Sequence, residues 1–233
     1  MKLLRRVTPQ IIMLAIVCLI AAFSYVKTEM IDTSTLSDYT KTIILDAGHG
    51  GFDGGAIASD GTVEKDINLQ ITQKIYEMLR FNGYDVILTR DNDTGTEDDE
   101  SASIAKRKKS DLSNRLQLMK DNPDAIFVSI HLNKFTTSAA NGAQVFYTKN
   151  YKEAYELANC VQSSIKNLVQ PENSRVVKQG TSSTYLLKNA ATPAIIVECG
   201  FLSNKTELEK LKDVNYQSQM AFAIVGGILD FYK

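Results

Sequence analysis

Residues 42–233 of this chain predict an α/β fold, a single domain with a mostly parallel mixed sheet flanked by helices. Three observations predict it. Short β-rich runs alternate with amphipathic runs, the signature of repeated strand–helix units. Ala125–His131 is almost entirely apolar, as a strand covered on both faces must be. The first β-rich run, Thr42–Asp46, passes directly into Gly48-His49-Gly50-Gly51, a strand end opening into a glycine-rich loop.

The elements follow in order. After Thr42–Asp46 and its loop, a helix begins near Glu64, with Ile67, Ile71, Ile75 and Met78/Leu79 on one face at helical spacing. Asn82-Gly83 ends it, Gly83 supplying the left-handed cap. Tyr84–Thr89 is the second strand. Asp111–Lys120 is the second helix, closed by Asn122-Pro123, and Ala125–His131 is the third strand. Ala143–Tyr147 reads as a further strand. Tyr151–Val169 reads as a helix that turns Ala154, Leu157, Ala158, Val161, Ile165 and Leu168 inward. Pro193–Glu198 is a buried strand. Tyr216–Tyr232 is a last amphipathic helix, its middle weakened by Gly226-Gly227. Between Asp91 and Glu100 lie six acidic residues, and Lys106 to Lys109 are all basic. That segment reads as a solvated loop and helix entry, with calcium binding or a partner contact as the alternatives.

The first residues have a different character. Lys2, Arg5 and Arg6 precede a nearly continuous apolar run from Ile11 to Val26. Residues 1–27 are therefore expected to be a signal peptide or an uncleaved signal anchor, with 28–41 as a polar linker. The apolar run falls short of the ~20 residues that span a bilayer comfortably, and no clear small-x-small cleavage site follows it. The positive residues place the N-terminus in the cytoplasm and the domain outside, exported and either membrane-anchored or secreted. A net charge of −1 offers no basic field for phosphates, so nucleic acid is excluded as a partner. Cys18 lies in the apolar run. Cys160 and Cys199 cannot by themselves make the disulfide framework of a small secreted scaffold, and no bridge between them is expected.

The chain has only two histidines. His49 follows the end of the first strand and His131 closes the third. Glu198 closes the late strand, and Glu64 starts a helix that rises from the same sheet edge. In a parallel sheet these strand ends share the edge where α/β proteins hold ligands. Two histidines and one carboxylate are a catalytic zinc set, with the fourth position left for water. A second carboxylate then serves as the acid/base. The Gly48-His49-Gly50-Gly51 loop lacks both phosphate-binding glycine patterns, and there is no HExxH helix. A cysteine hydrolase using Cys199 and His131 is the rival catalytic arrangement. Alternation along the strand sets the two against each other: if Glu198 faces the site, Cys199 faces away.

The ordered stretches Leu45–Gly51, Val63–Leu69, Thr89-Arg90, Asn114-Arg115, Ser129–Asn133, Gly142–Tyr147 and Pro193–Asn204 resemble the zinc-dependent N-acetylmuramoyl-L-alanine amidases of bacterial cell walls. The resemblance spans about residues 42–232. It implies zinc held by His49, Glu64 and His131, Glu198 as catalytic acid/base, and substrate contacts from Arg115 and Asn133. It also implies peptidoglycan as substrate, cut between N-acetylmuramic acid and the L-alanine of the stem peptide. His131-Leu132-Asn133, in a chain whose amidase domain fills everything after the N-terminal segment, is most similar to the spore-cortex amidases of endospore formers. That likeness implies a role in muramic-δ-lactam formation in the forespore or cortex space. Without an obvious wall-binding module, an accessory or activator protein is a further expectation. The alternatives are a non-catalytic peptidoglycan-binding or regulatory module of the same fold and a metallopeptidase that cuts within the peptide.

Overall fold

In the computed structural model, which describes residues 41–181 and 184–233 together with Met13, six strands form one sheet. They are β1 (Thr42–Ala47), β2 (Asp85–Leu88), β3 (Ile126–Asn133), β4 (Gln144–Tyr147), β5 (Lys178–Gln179) and β6 (Ala194–Phe201). Their spatial order is β2-β1-β3-β6-β4-β5. Every pairing is parallel except β4 with β6, so the predicted mostly parallel mixed sheet is what forms. Apart from Met13 and Lys41, the expected signal segment (1–27) and linker (28–41) lie outside the described residues.

The described helices are α1 (Glu64–Phe81), α2 (Ile104–Asp121), α3 (Lys152–Leu168), α4 (Tyr185–Asn189), α5 (Lys205–Lys212) and α6 (Val214–Phe231). Strand alternation divides the core between the two sheet faces. Ile43, Leu45, Val128, Ile130, Ile195 and Val197 pack with α1, α3, α5 and α6. Ile44, Phe127, Ala194 and Ile196 pack on the opposite face with α2 and α4. Full burial of each of these valine, leucine, isoleucine and phenylalanine side chains contributes about 1.5–3 kcal/mol.

Several boundaries differ from expectation for identifiable reasons. Helix α2 begins at Ile104 rather than Asp111. Its first turns show no apolar stripe, and long-range partners hold them: Arg107 stacks on Phe52 at 4.1 Å and pairs with Glu97 at 2.5 Å. Helix α5, with only Leu208 and Leu211 buried, has too little periodicity to stand out. It is fixed by Asn204, whose side chain accepts from the Thr206 and Glu207 amides. Helix α6 runs unbroken through Gly226-Gly227. At Gly227 a β-carbon would lie 2.4 Å from Val161 Cα, so the glycine lets α3 and α6 approach closely rather than weakening α6.

The acidic segment is solvated as expected, with Asp91, Asp93, Asp98, Asp99 and Glu100 exposed, but it is tethered to its neighbours. Asp93 accepts from the Gly51 amide and pairs with Lys65. Asp98 accepts from Asn114, and Asp111 from Thr96. The loop between β2 and α2 is thereby laced onto the glycine-rich loop after β1.

Candidate metal centre and acid/base site

The chain turns back at β1: β2 lies on one side of it and β3 on the other. This reversal of strand order opens a crevice at the carboxyl ends of β1 and β3. His49 follows β1 into that crevice and His131 lies near the end of β3. His49 has φ 63°, the sole non-glycine left-handed backbone among the described residues. The residue before it must be glycine, because a β-carbon on Gly48 would lie 2.3 Å from His131 Nε2.

Glu64 opens α1 and is buried. Its Oε2 accepts from the Ala56 amide at 2.8 Å, and its Oε1 from the Leu132 amide at 3.1 Å and Asn68 Nδ2 at 3.3 Å. Oε1 also lies 3.0 Å from His131 Nδ1 and 3.3 Å from His49 Nε2. The three ligand atoms all lie within 4.8 Å of one another. Ligands about 2.0–2.1 Å from a tetrahedral zinc lie about 3.3 Å apart, so the two separations from Glu64 and the donor set fit a metal ion. On its far side His49 Nδ1 lies 2.9 Å from Asp53 Oδ2. A proton on Nδ1 shared with that carboxylate leaves Nε2 as a lone-pair donor toward Glu64 and His131. Lys108 reaches the same Asp53 oxygen at 3.2 Å.

The electrostatics of the site draw a proton onto His49 and keep Glu64 ionised. Burial opposes charge on His49, but the hydrogen bonds to Asp53 and Glu64 outweigh it and raise its pKa to about 9. Burial likewise opposes charge on Glu64, yet the two imidazoles hold its carboxyl well below the usual carboxylate range. A metal arriving here displaces the His49 proton, so its affinity falls as pH falls.

Glu198 pairs in register with His131 across β3 and β6, placing both side chains on one face. Its Oε2 is buried with no hydrogen-bond partner among the described residues. Burial pushes its pKa up to about 7; Glu64 adds to the rise, while His131 and His49 oppose it. An unpartnered carboxyl beside the His49, Glu64 and His131 donors, titrating near neutrality, is suited to accept and return a proton. Cys199 points the other way, fully buried in the core against α1, α3, α5 and α6, and burial raises its thiol pKa further. Cys160 and Cys199 are both free thiols. The cysteine-hydrolase arrangement is not assembled.

Asn133 is half-buried just past the register shift between β3 and β6. Its carbonyl accepts from the Leu202 amide. Arg115, expected to contact substrate, is not on the groove surface. Its side chain is 2% exposed, and its donors go to Asp46, both Asp111 oxygens and the carbonyls of Ala47 and His49. It lies beneath the site because α2 delivers it to the buried face of β1.

Sequence reading did not single out Asp46, Asp53 or Asn68. Asp53 and Asn68 each stand four residues after a ligand, a spacing that could have marked them. Asp46 is buried against Arg115, Ser129 and Thr89. Burial alone would raise its pKa, but the Arg115 guanidinium and the two hydroxyls hold it below the usual range. A depressed folded-state pKa contributes stability above the unfolded value of about 4 that is lost as pH falls through the folded value. Asp46→Asn is therefore expected to cost about 3 kcal/mol at neutral pH. In urea unfolding from pH 7 to pH 2, its gap to wild type should shrink below about pH 4.

The family model for N-acetylmuramoyl-L-alanine amidases matches residues 43–230. The germination-specific N-acetylmuramoyl-L-alanine amidase of Bacillus subtilis (strain 168) is 34% identical over 192 residues, 82% of this chain and 80% of that protein. The CwlD amidase of Clostridioides difficile, solved in complex with the GerS lipoprotein, is 43% identical with a TM-score of 0.79, covering 82% of this chain and 98% of that one. The amidase AmiC2 of Nostoc punctiforme is 30% identical with a TM-score of 0.71, covering 83% and 98%.

Proposed function

We propose, from the premise that the chain belongs to the N-acetylmuramoyl-L-alanine amidase family, that it is a zinc-dependent peptidoglycan amidase. It hydrolyses the amide between the lactyl group of N-acetylmuramic acid and the L-alanine of the stem peptide. The observation that carries this reading is the unpartnered Glu198 carboxyl on the same sheet edge as the His49, Glu64 and His131 donors.

His49, Glu64 and His131 would hold the metal, each through one side-chain atom. When bound, zinc supplies an acidified water and a Lewis acid for the scissile carbonyl. Glu198 takes the proton of the attacking water and returns it to the departing alanine nitrogen. Asp53 keeps the His49 tautomer fixed, and Asn68 orients the Glu64 carboxylate. Arg115 supports the loop from below. Asn133 is the residue of the pair free to meet substrate at the edge of β3.

Similarity to a germination-specific amidase favours action in spore peptidoglycan, where removal of stem peptides precedes muramic-δ-lactam formation. The neighbouring amidase solved with a lipoprotein favours an accessory protein of that kind. The N-terminal apolar segment exports the domain and either anchors it or is removed. Among the described residues no helix is long and apolar enough to cross a membrane.

The test is mass spectrometry of purified peptidoglycan treated with the protein. The expected products are peptides beginning with L-alanine and muramic acid residues that have lost their stems. Cleavage within the peptide would make it a metallopeptidase, and binding without release would make it a binding module.

A further inference from the structure

The metal triad does not by itself explain two buried arginines. Arg90 follows β2 and Arg115 comes from α2, and they meet beneath the loop that carries His49. Arg90 Nε donates to the Ala47 carbonyl at 2.9 Å, and its Nη2 to the Gly48 carbonyl at 3.2 Å. Arg115 donates to the Ala47 carbonyl at 3.1 Å and to the His49 carbonyl at 2.8 Å. Each carbonyl of the tripeptide Ala47-Gly48-His49 thus accepts from a guanidinium, where the backbone takes up the left-handed conformation of His49. A conformation of that kind at a residue with a side chain persists only where its surroundings over-determine it.

Arg90 does more. Its Nη2 also donates to the Lys65 carbonyl at 2.8 Å, and its Nη1 to the Asn92 carbonyl at 2.9 Å. Lys65 directly follows Glu64. One guanidinium therefore ties the loop presenting His49 to the helical turn presenting Glu64. Arg115 in turn is held by Asp46 and Asp111, so the support is itself fixed. A lysine could not replace either group, because it offers donors from one nitrogen on a flexible stem rather than a planar fork.

We infer that Arg90 and Arg115 form a guanidinium clamp that sets the spacing of His49 and Glu64 before metal arrives. They are positioning residues for metal capture. The inference rests on the reading above, in which those two residues and His131 are the ligands.

The test uses the full-length protein and the variants Arg90→Lys, Arg115→Lys and Ile75→Val. Ile75 is a core residue of the same helix as Glu64, away from the clamp, and reports plain loss of stability. Zinc affinity is measured by competition with a chromophoric chelator, ligand geometry by the visible spectrum of the cobalt(II)-loaded protein, and stability by urea unfolding of the metal-free form. Arg90→Lys is expected to weaken zinc binding about 10- to 100-fold and to change the cobalt spectrum. Ile75→Val is expected to lose stability while keeping wild-type affinity and spectrum. If Arg115→Lys does not fold, Arg90→Lys decides. Wild-type zinc affinity and spectrum in Arg90→Lys would overturn the clamp alone. A wild-type protein that binds no zinc would overturn the metal reading and the clamp with it.

Discussion

Glu198→Ala is expected to retain its zinc and lose turnover by roughly 10²- to 10⁴-fold, the range general acid–base groups contribute. The reason is local. Glu198 lies across from His131 on the neighbouring strand, outside the triad, and its Oε2 has no other bond among the described residues. Its removal strands no buried donor, so folding and metal content should survive. Glu198→Gln keeps the shape but cannot carry the proton, and it should be as impaired as the alanine variant. Steady-state kinetics should show the loss in kcat with KM little changed. The pH profile follows from the same group. As the base, Glu198 must be ionised, so kcat/KM should rise with pH through its pKa. Burial places that value at about 7 without metal, and the charge of a bound dication draws it lower. Full turnover in a folded, zinc-loaded Glu198→Ala protein would end its assignment as the acid/base.

His49→Ala is expected to remove both metal and activity. With one of three protein ligands gone, the remaining pair is an incomplete zinc set, and Asp53 loses its imidazole partner. Asp53→Asn is the graded companion. It leaves the ligand in place but alters the partner that fixes its tautomer, and a loss of about 10- to 100-fold in metal affinity is expected. Elemental analysis after dialysis ranks the three proteins: wild type above Asp53→Asn, and Asp53→Asn above His49→Ala. A fully metallated and active His49→Ala variant would contradict the ligand assignment.

The convergence of His49, Glu64 and His131 is legible in the sequence because local rules place them. His49 and His131 stand at or near strand ends, Glu64 is the first residue of its helix, and strand alternation separates Glu198 from Cys199. Asp53 and Asn68 are local supports at i+4, whereas Asp46 and Arg115 are less legible because their partners are distant in sequence. Asp46 reads as the end of a strand, yet its bonds reach Thr89, Arg115 and Ser129, between 43 and 83 positions away. The same holds for Arg115: its family position suggested the groove, while its contacts with Asp46 and His49 bury it. The early start of α2 depends on Phe52 and Glu97, and no periodicity within Ile104–Ser110 announces it. Gly227 looked like a weakness in α6 because the facing backbone of α3 is invisible to any one-helix pattern.

The most direct test of the central claim is the metal content of the full-length protein, determined by elemental analysis before and after incubation with zinc and removal of the excess. The donor set of His49, Glu64 and His131 predicts about one zinc per chain. A folded protein that takes up no zinc under those conditions would contradict the account.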